Sequence, residues 1–259
     1  MKQVKAKKHL GQHFLTDIAI ALDTVDAFGK SGNFSKAIEV GPGMGVLTKP
    51  LLNRDDLELF VIDIDTESVE FIKEDSTLDE THLIEGDFLK IDLNQLFQGE
   101  KFGIIGNFPY NISTQILFKT LEYKDQAMEV VGMFQKEVAE RIASPEGSKV
   151  YGITSVLLQA FYDIEYLFTV DEHVFNPPPK VKSAVIRLKR NDVAALDCDE
   201  KLFKTLIKSA FNQRRKTMRN SLKPFIKDSI KDNEVFNKRP EQISVQGFID
   251  LTNLIQEAK

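Results

Sequence analysis

From Lys36 onward, short apolar runs alternate with stretches whose apolar residues recur at helical spacing. The runs 37–40 (AIEV), 57–63 (LELFVID), 81–86 (THLIEG), 102–107 (FGIIGN) and 128–134 (MEVVGMF) are short and rich in branched and aromatic side chains, as strands are. Between them, 45–53 (GVLTKPLLN), 66–74 (TESVEFIKE), 113–121 (STQILFKTL) and 135–143 (QKEVAERIA) carry the three-to-four-residue apolar period of helices. Such alternation predicts an α/β fold: a Rossmann-like, mainly parallel sheet with helices on both faces and ligands at the carboxyl ends of its strands.

Beyond Gly147 the pattern changes. A helix is predicted over 151–163 (YGITSVLLQAFYD), followed by two β-rich stretches, 164–170 and 183–189, on either side of FNPPPKVK. These are expected to pair as an antiparallel addition at the sheet edge. Past Arg190 the β character disappears: 199–211 is apolar at helical spacing, and Ser244 stands where an N-cap would open a helix over 244–258. Two domains are therefore expected, a catalytic domain over 1–189 and a small, all-helical, basic domain over 190–259.

The chain of 259 residues is long enough for such a division. Its single cysteine, Cys198, excludes an internal disulfide framework, and no run approaches the roughly 20 apolar residues that span a bilayer, so a cytoplasmic protein is expected. His9, His13, His82 and His173 are scattered without metal-ligand spacing, and no metal is expected. The net charge of −5 conceals an asymmetry: residues 201–231 hold ten Lys or Arg against one acid, Asp228, a segment of +9 that leaves −14 elsewhere. Arg214, Arg215, Lys216, Arg219 and Lys223 within it are candidate RNA contacts.

The stretch EVGPGMGVLTK sets Glu39, Gly41, Gly43 and Gly45 between a predicted strand and helix. Glycines there permit positive φ and close approach of backbone to a ligand. Twenty-two residues beyond Gly41, Asp63 ends the next strand, where a carboxylate can accept from both ribose hydroxyls. Dinucleotide and S-adenosylmethionine (SAM) sites share this pattern. Two features favour SAM: the spacing is not GxGxxG, and Asp87 ends the third strand, where an acid repels a pyrophosphate and suits a sulfonium cation.

The fourth strand delivers Asn107, Phe108, Pro109 and Tyr110 to the same sheet edge. An exocyclic adenine nitrogen is a poor nucleophile while its lone pair is delocalised into the ring, so methyl transfer to N6 requires acceptors for its hydrogens. The Asn107 amide oxygen and a carbonyl beside Pro109, whose φ is fixed, supply that pair, and Tyr110 supplies a stacking face.

Taken together, KKHLGQHFLTD, EVGPGMGVLT, Asp63, Asp87, NFPYNIST, FNPPPKVKSAVIRL and FNQRRKTMRNSL resemble, in order and over nearly the whole chain, the small-subunit ribosomal RNA adenine dimethyltransferases. The resemblance implies SAM-dependent dimethylation of N6 on two adjacent adenosines near the 3′ end of 16S rRNA, within an assembling small subunit; no dimer motif is evident in the sequence, and a monomer is expected. It implies that Gln12, Phe14 and Leu15 help hold the cofactor, with Ile64, Phe88 and Asn107 also among its contacts, and that Tyr110 and Phe175 sandwich the target base. The 23S rRNA and DNA adenine N6-methyltransferases share the cofactor loop and a related catalytic motif, whereas the FNPPPKVKS and FNQRRKTMRNSL pair favours the small-subunit type. A non-catalytic RNA-binding assembly factor is the alternative of a different class.

Overall fold

The computed structural model describes residues 4–30 and 32–258. Nine strands and ten α-helices follow in chain order among these residues: β1 (Phe14–Leu15), α1 (Ile18–Ala27), β2 (Lys36–Val40), α2 (Thr48–Leu52), β3 (Glu58–Asp63), α3 (Thr66–Asp75), β4 (Leu83–Glu85), α4 (Leu93–Phe97), β5 (Phe102–Asn107), α5 (Ser113–Glu122), β6 (Ala127–Gln135), α6 (Lys136–Ala143), α7 (Ile153–Gln159), β7 (Tyr162–Val170), β8 (Phe175–Asn176), β9 (Ser183–Arg190), α8 (Glu200–Asn212), α9 (Met218–Ser221) and α10 (Val245–Glu257). Seven strands form one sheet in the order β4-β3-β2-β5-β6-β9-β7, and β1 pairs with β8 in a second. Every pairing from β4 to β6 is parallel. β9 runs antiparallel to β6, so the two late strands extend the sheet edge as expected.

The central strands are buried on both faces, which is why they read as continuous apolar runs: Ala37 and Ile38 of β2, Val61 of β3, Ile104 and Ile105 of β5, and Val130 and Val131 of β6 are all inaccessible. Order at the sheet edge matters most for the site. Because β2 lies between β3 and β5, the ends of these three strands open side by side.

Three differences from the sequence pattern have local causes. α1 was not predicted, although Asp17 caps it by accepting from the amides of Ala19 (2.9 Å) and Ile20 (3.2 Å); its apolar periodicity is blurred by Ile18 and Leu22, which are exposed. The helix expected over 151–163 stops at Gln159, and β7 takes over at Tyr162, because the aromatic and branched run YDIEYLFTV suits an edge strand better than a helix. Finally, 140–162 groups with 191–259 rather than with the sheet-bearing unit, 4–139 and 163–190. Within the helical unit, Tyr151 packs edge-on against Phe211 at 6.1 Å and Phe211 meets Phe248 at 6.0 Å, so α7 shares the core of α8 and α10. A single cut at 189/190 in the sequence does not capture this crossing of the chain.

Candidate active site

The glycine loop leaves β2 with Gly41, Gly43 and Gly45 at φ of +75°, +56° and +74°, a region unfavourable to side-chain-bearing residues. At Gly43 the requirement is also steric, since a Cβ would stand 2.7 Å from the Phe14 ring. The Phe14 ring therefore rests directly on the loop, and the pairing of β1 with β8, Phe14 opposite Asn176 and Leu15 opposite Phe175, keeps it there. Gly45 contributes the turn, where a Cβ would stand 3.0 Å from Ile72, but does not line the cleft. Glu39 is 1% exposed and accepts from the Thr48 hydroxyl at 2.7 Å; burial pushes its carboxyl up to about 8. Asp63 is 8% exposed, and burial raises its carboxyl to about 6 despite a 2.9 Å bond from the Asp65 amide.

A strap formed by residues 7–15 crosses the strand ends, and Asp65 is its anchor. The Gln12 amide donates to Asp65 Oδ2 at 3.0 Å, the Lys7 ammonium pairs with Asp65 and with Glu67, and the Lys7 backbone amide donates to Gln12 Oε1 at 2.8 Å. Asp65 also caps α3 through the Glu67 amide at 3.2 Å. No sequence signal marks this residue beyond its position two after Asp63, because its role depends on contacts 53 and 58 positions away.

At the end of β5 the residues of NFPY divide their tasks. The Phe108 ring is 1% exposed and fills the space over Gly132, where a Cβ would stand 2.1 Å from it, and packs edge-on against Phe134 at 5.2 Å. With its side chain in the core, Phe108 lends the cleft its main chain. The Asn107 amide donates from Nδ2 to the His13 carbonyl at 2.8 Å, and among the described residues nothing donates to its Oδ1 or to the Phe108 carbonyl. Two acceptors without a donor are thus left on successive residues lining the cleft, the second in the peptide bond to Pro109, whose φ is fixed. The Tyr110 hydroxyl is bonded to Ser183 of β9, which fixes the ring, and burial pushes its pKa above the ordinary phenol value.

Phe175 departs from the expectation. It is 3% exposed, belongs to the core with Leu15 and Val174, and lines no part of the cleft. The ring stacked on Tyr110 is His13, at 5.3 Å and 28°. Leu15 touches only a smaller adjoining cavity that Glu39 and Asn107 also line.

The cleft encloses about 920 Å³, its open mouth included. Gln12, Phe14, Gly41 and Gly43 line one part, Asp63, Ile64, Asp87 and Phe88 another, and Asn107 to Tyr110 the remainder. Ile64 is 54% exposed there, an apolar platform next to an acid. A glycine cradle that a Cβ would fill, two carboxylates and an apolar platform fit an adenosyl group carrying a sulfonium. Among the described residues no cluster of three or more His, Cys, Asp or Glu could hold a metal.

In the helical unit the basic candidates separate into two kinds. Arg214 donates to the Lys149 carbonyl, and Arg219 donates to the Lys231 carbonyl at 2.7 Å and to Asn237 at 3.2 Å, so both hold the unit together. Arg215, Lys216 and Lys223 are exposed.

Comparison with known proteins agrees with this geometry. The ribosomal RNA adenine dimethylase family profile matches residues 3–256. The chain belongs to that family. It is 60% identical over 256 residues to ribosomal RNA small subunit methyltransferase A of Cytophaga hutchinsonii, covering 98% of this chain and 99% of the relative, and 52% identical to the Porphyromonas gingivalis protein of the same name, covering 99% and 100%. Among solved structures, a dimethyladenosine transferase from Plasmodium falciparum superposes with a TM-score of 0.78 at 24% identity (95% and 98% coverage), and the 23S rRNA methyltransferase ErmE with 0.66 at 21% (93% and 99%). These two establish the shared fold. As a ribosomal RNA adenine dimethylase, the protein is a SAM-dependent methyltransferase, and Gly41, Gly43, Asp63, Ile64 and Asp87 line the cleft.

Proposed function

We propose that this protein dimethylates N6 of two adjacent adenosines near the 3′ end of 16S rRNA in the assembling small subunit, acting as a cytoplasmic monomer. The observation that carries this reading is the bonding of Asn107: Nδ2 is committed to the His13 carbonyl, which leaves Oδ1, like the Phe108 carbonyl, as an acceptor without a donor among the described residues, and both residues line the cleft. Those two oxygens match the two hydrogens of an adenine amino group. Held by both, N6 is drawn out of conjugation and its lone pair becomes available, an orientation effect in a site that is already assembled.

Bound SAM supplies an electrophilic methyl group. The chain's residues do the rest: Asp63 accepts from ribose hydroxyls, Ile64 supports the adenine of the cofactor, and Tyr110, fixed through Ser183, stacks on the target base. Stacking of about 1–3 kcal/mol offsets the few kcal/mol needed to unstack that base. Asn107 and Pro109 remain the catalytic pair proposed for N6. Phe175, buried as it is, supports β1 and hence Phe14 on the glycine loop.

The test incubates the purified chain with isotope-labelled SAM and unmethylated small subunits, with large subunits and duplex DNA in parallel, and maps the label by nuclease digestion and mass spectrometry. Dimethyladenosine at two adjacent 16S positions is the expected result. Label confined to large subunits or DNA overturns the substrate assignment, and SAM binding without any label points to an assembly factor.

A further inference from the structure

A second cavity adjoins the cleft, about 1,130 Å³ with its open mouth included, and shares Gly11, Gln12, His13 and Tyr110 with it. The rest of its wall is Ala6, Lys8, Gln135 and the run Pro177 to Val181. Its chemistry differs from that of the cleft. No acid lines it, whereas Asp63 and Asp87 line its neighbour. Pro177 and Pro178 are exposed, Val181 is 47% exposed, and Lys8 and Lys180 are exposed cations with no acidic partner among the described residues. Lys182, two residues on, is instead paired with Asp171 at 2.5 Å.

We propose that this cavity is the subsite for the nucleotide next to the target adenine in the RNA strand. The inference rests on the reading above, in which Tyr110 faces the target base. Flat pyrrolidine and imidazole faces take a base without regard to its identity, and the two lysines take the flanking phosphates. Continuity with the cleft decides the occupant: a chain whose target base lies on Tyr110 must leave past a residue common to both walls.

That residue is His13. Its ring stacks on Tyr110, its carbonyl accepts from Asn107, and its Nδ1 lies 2.7 Å from the Pro177 carbonyl, a contact in which the ring nitrogen donates. A nucleotide seated against His13 and the prolines therefore steadies the carbonyl that orients the Asn107 amide. His13 is a positioning residue, and the second subsite favours an adenine embedded in a strand over a free nucleoside.

Two measurements test this. A synthetic RNA hairpin carrying a photoreactive nucleotide, placed in turn on each side of the target adenosine, is irradiated with the full chain and the cross-linked peptide is sequenced. One of the two positions is expected to label 176–181 or 6–13; cross-links from both positions confined to the basic helical segment overturn the proposal. In parallel, Lys8→Glu with Lys180→Glu is expected to raise KM for unmethylated small subunits about tenfold, as loss of two phosphate contacts does, with kcat and calorimetric SAM affinity unchanged. An unchanged KM overturns the subsite. If the wild-type chain methylates no adenine, it is the proposed function that fails, while the cross-link still reports on the subsite.

Discussion

Asn107 illustrates how much a single amide can decide. One end is tied to the His13 carbonyl and the other is left without a donor among the described residues, on a residue that lines the cleft, and the role proposed for it lies in the methyl-transfer step. Asn107→Ala is expected to lower kcat by about 10²–10³-fold, the usual cost of removing one preorganised polar group, with SAM affinity within about twofold by calorimetry; a large loss of SAM binding would sink the assignment. Asp63 makes the opposite case. Ribose hydroxyls require it ionised, and burial has raised it to about 6, so SAM affinity is expected to fall about tenfold per pH unit as pH drops below about 6. Asp63→Ala should remove that pH dependence and weaken SAM by about 1.5–3 kcal/mol. Stability moves in the other direction: the folded chain binds these protons more tightly than the unfolded one, so stability declines as pH rises from 3.8 to about 6 for Asp63 and from 4.5 to about 8 for Glu39. Residues of this kind were legible in the sequence because each ends a strand next to a turn. Phe175 is set against the target base by the resemblance alone; by itself a phenylalanine before a proline run more often packs, and in the structure it lies in the core.

Strands were legible where a β-rich run of several residues marks them, in the buried centre and at the sheet edges alike, and illegible where the strand is too short to carry a pattern. β2, β3, β5 and β6 appear as apolar runs, but β1 and β8 are two residues each, and what makes them strands is a pairing across 160 positions that no local pattern encodes. The strap that β1 terminates depends on Asp65, which does two separable things: it caps α3 and anchors Lys7 and Gln12. An asparagine keeps the capping oxygen but not the charge. Asp65→Ala is therefore expected to lower stability by about 1 kcal/mol in urea titration, the ordinary cost of a lost cap, and to weaken SAM. Asp65→Asn should leave stability nearly unchanged and still weaken SAM. Equal effects of the two variants on both readouts would mean that the strap is held by something other than the Asp65 carboxylate.

For the whole molecule the electrostatic problem is that a chain of net charge −5 must hold a polyanion. The +9 segment at 201–231 is the proposed answer, and that much was legible from charge counting alone. What counting missed is that some of its cations are structural: Arg214 and Arg219 spend their donors on carbonyls and on Asn237 within the helical unit, as the folding of 140–162 into that unit requires for Lys149. A charge reversal at Arg214 would therefore confuse lost RNA binding with lost folding. Arg215, Lys216 and Lys223 are exposed, and their substitution by alanine isolates the electrostatic contribution. Each phosphate contact contributes about 0.7–0.9 to the slope of log K against log salt, so the triple variant is expected to flatten that slope by about 2 to 3 while its urea midpoint stays at the wild-type value. Affinity should converge with wild type at high salt, because only the screened contribution has been removed. A slope that does not change would reduce these residues to a solvated face and leave RNA retention to Lys8, Lys180 and the stacking surfaces of the sheet-bearing unit.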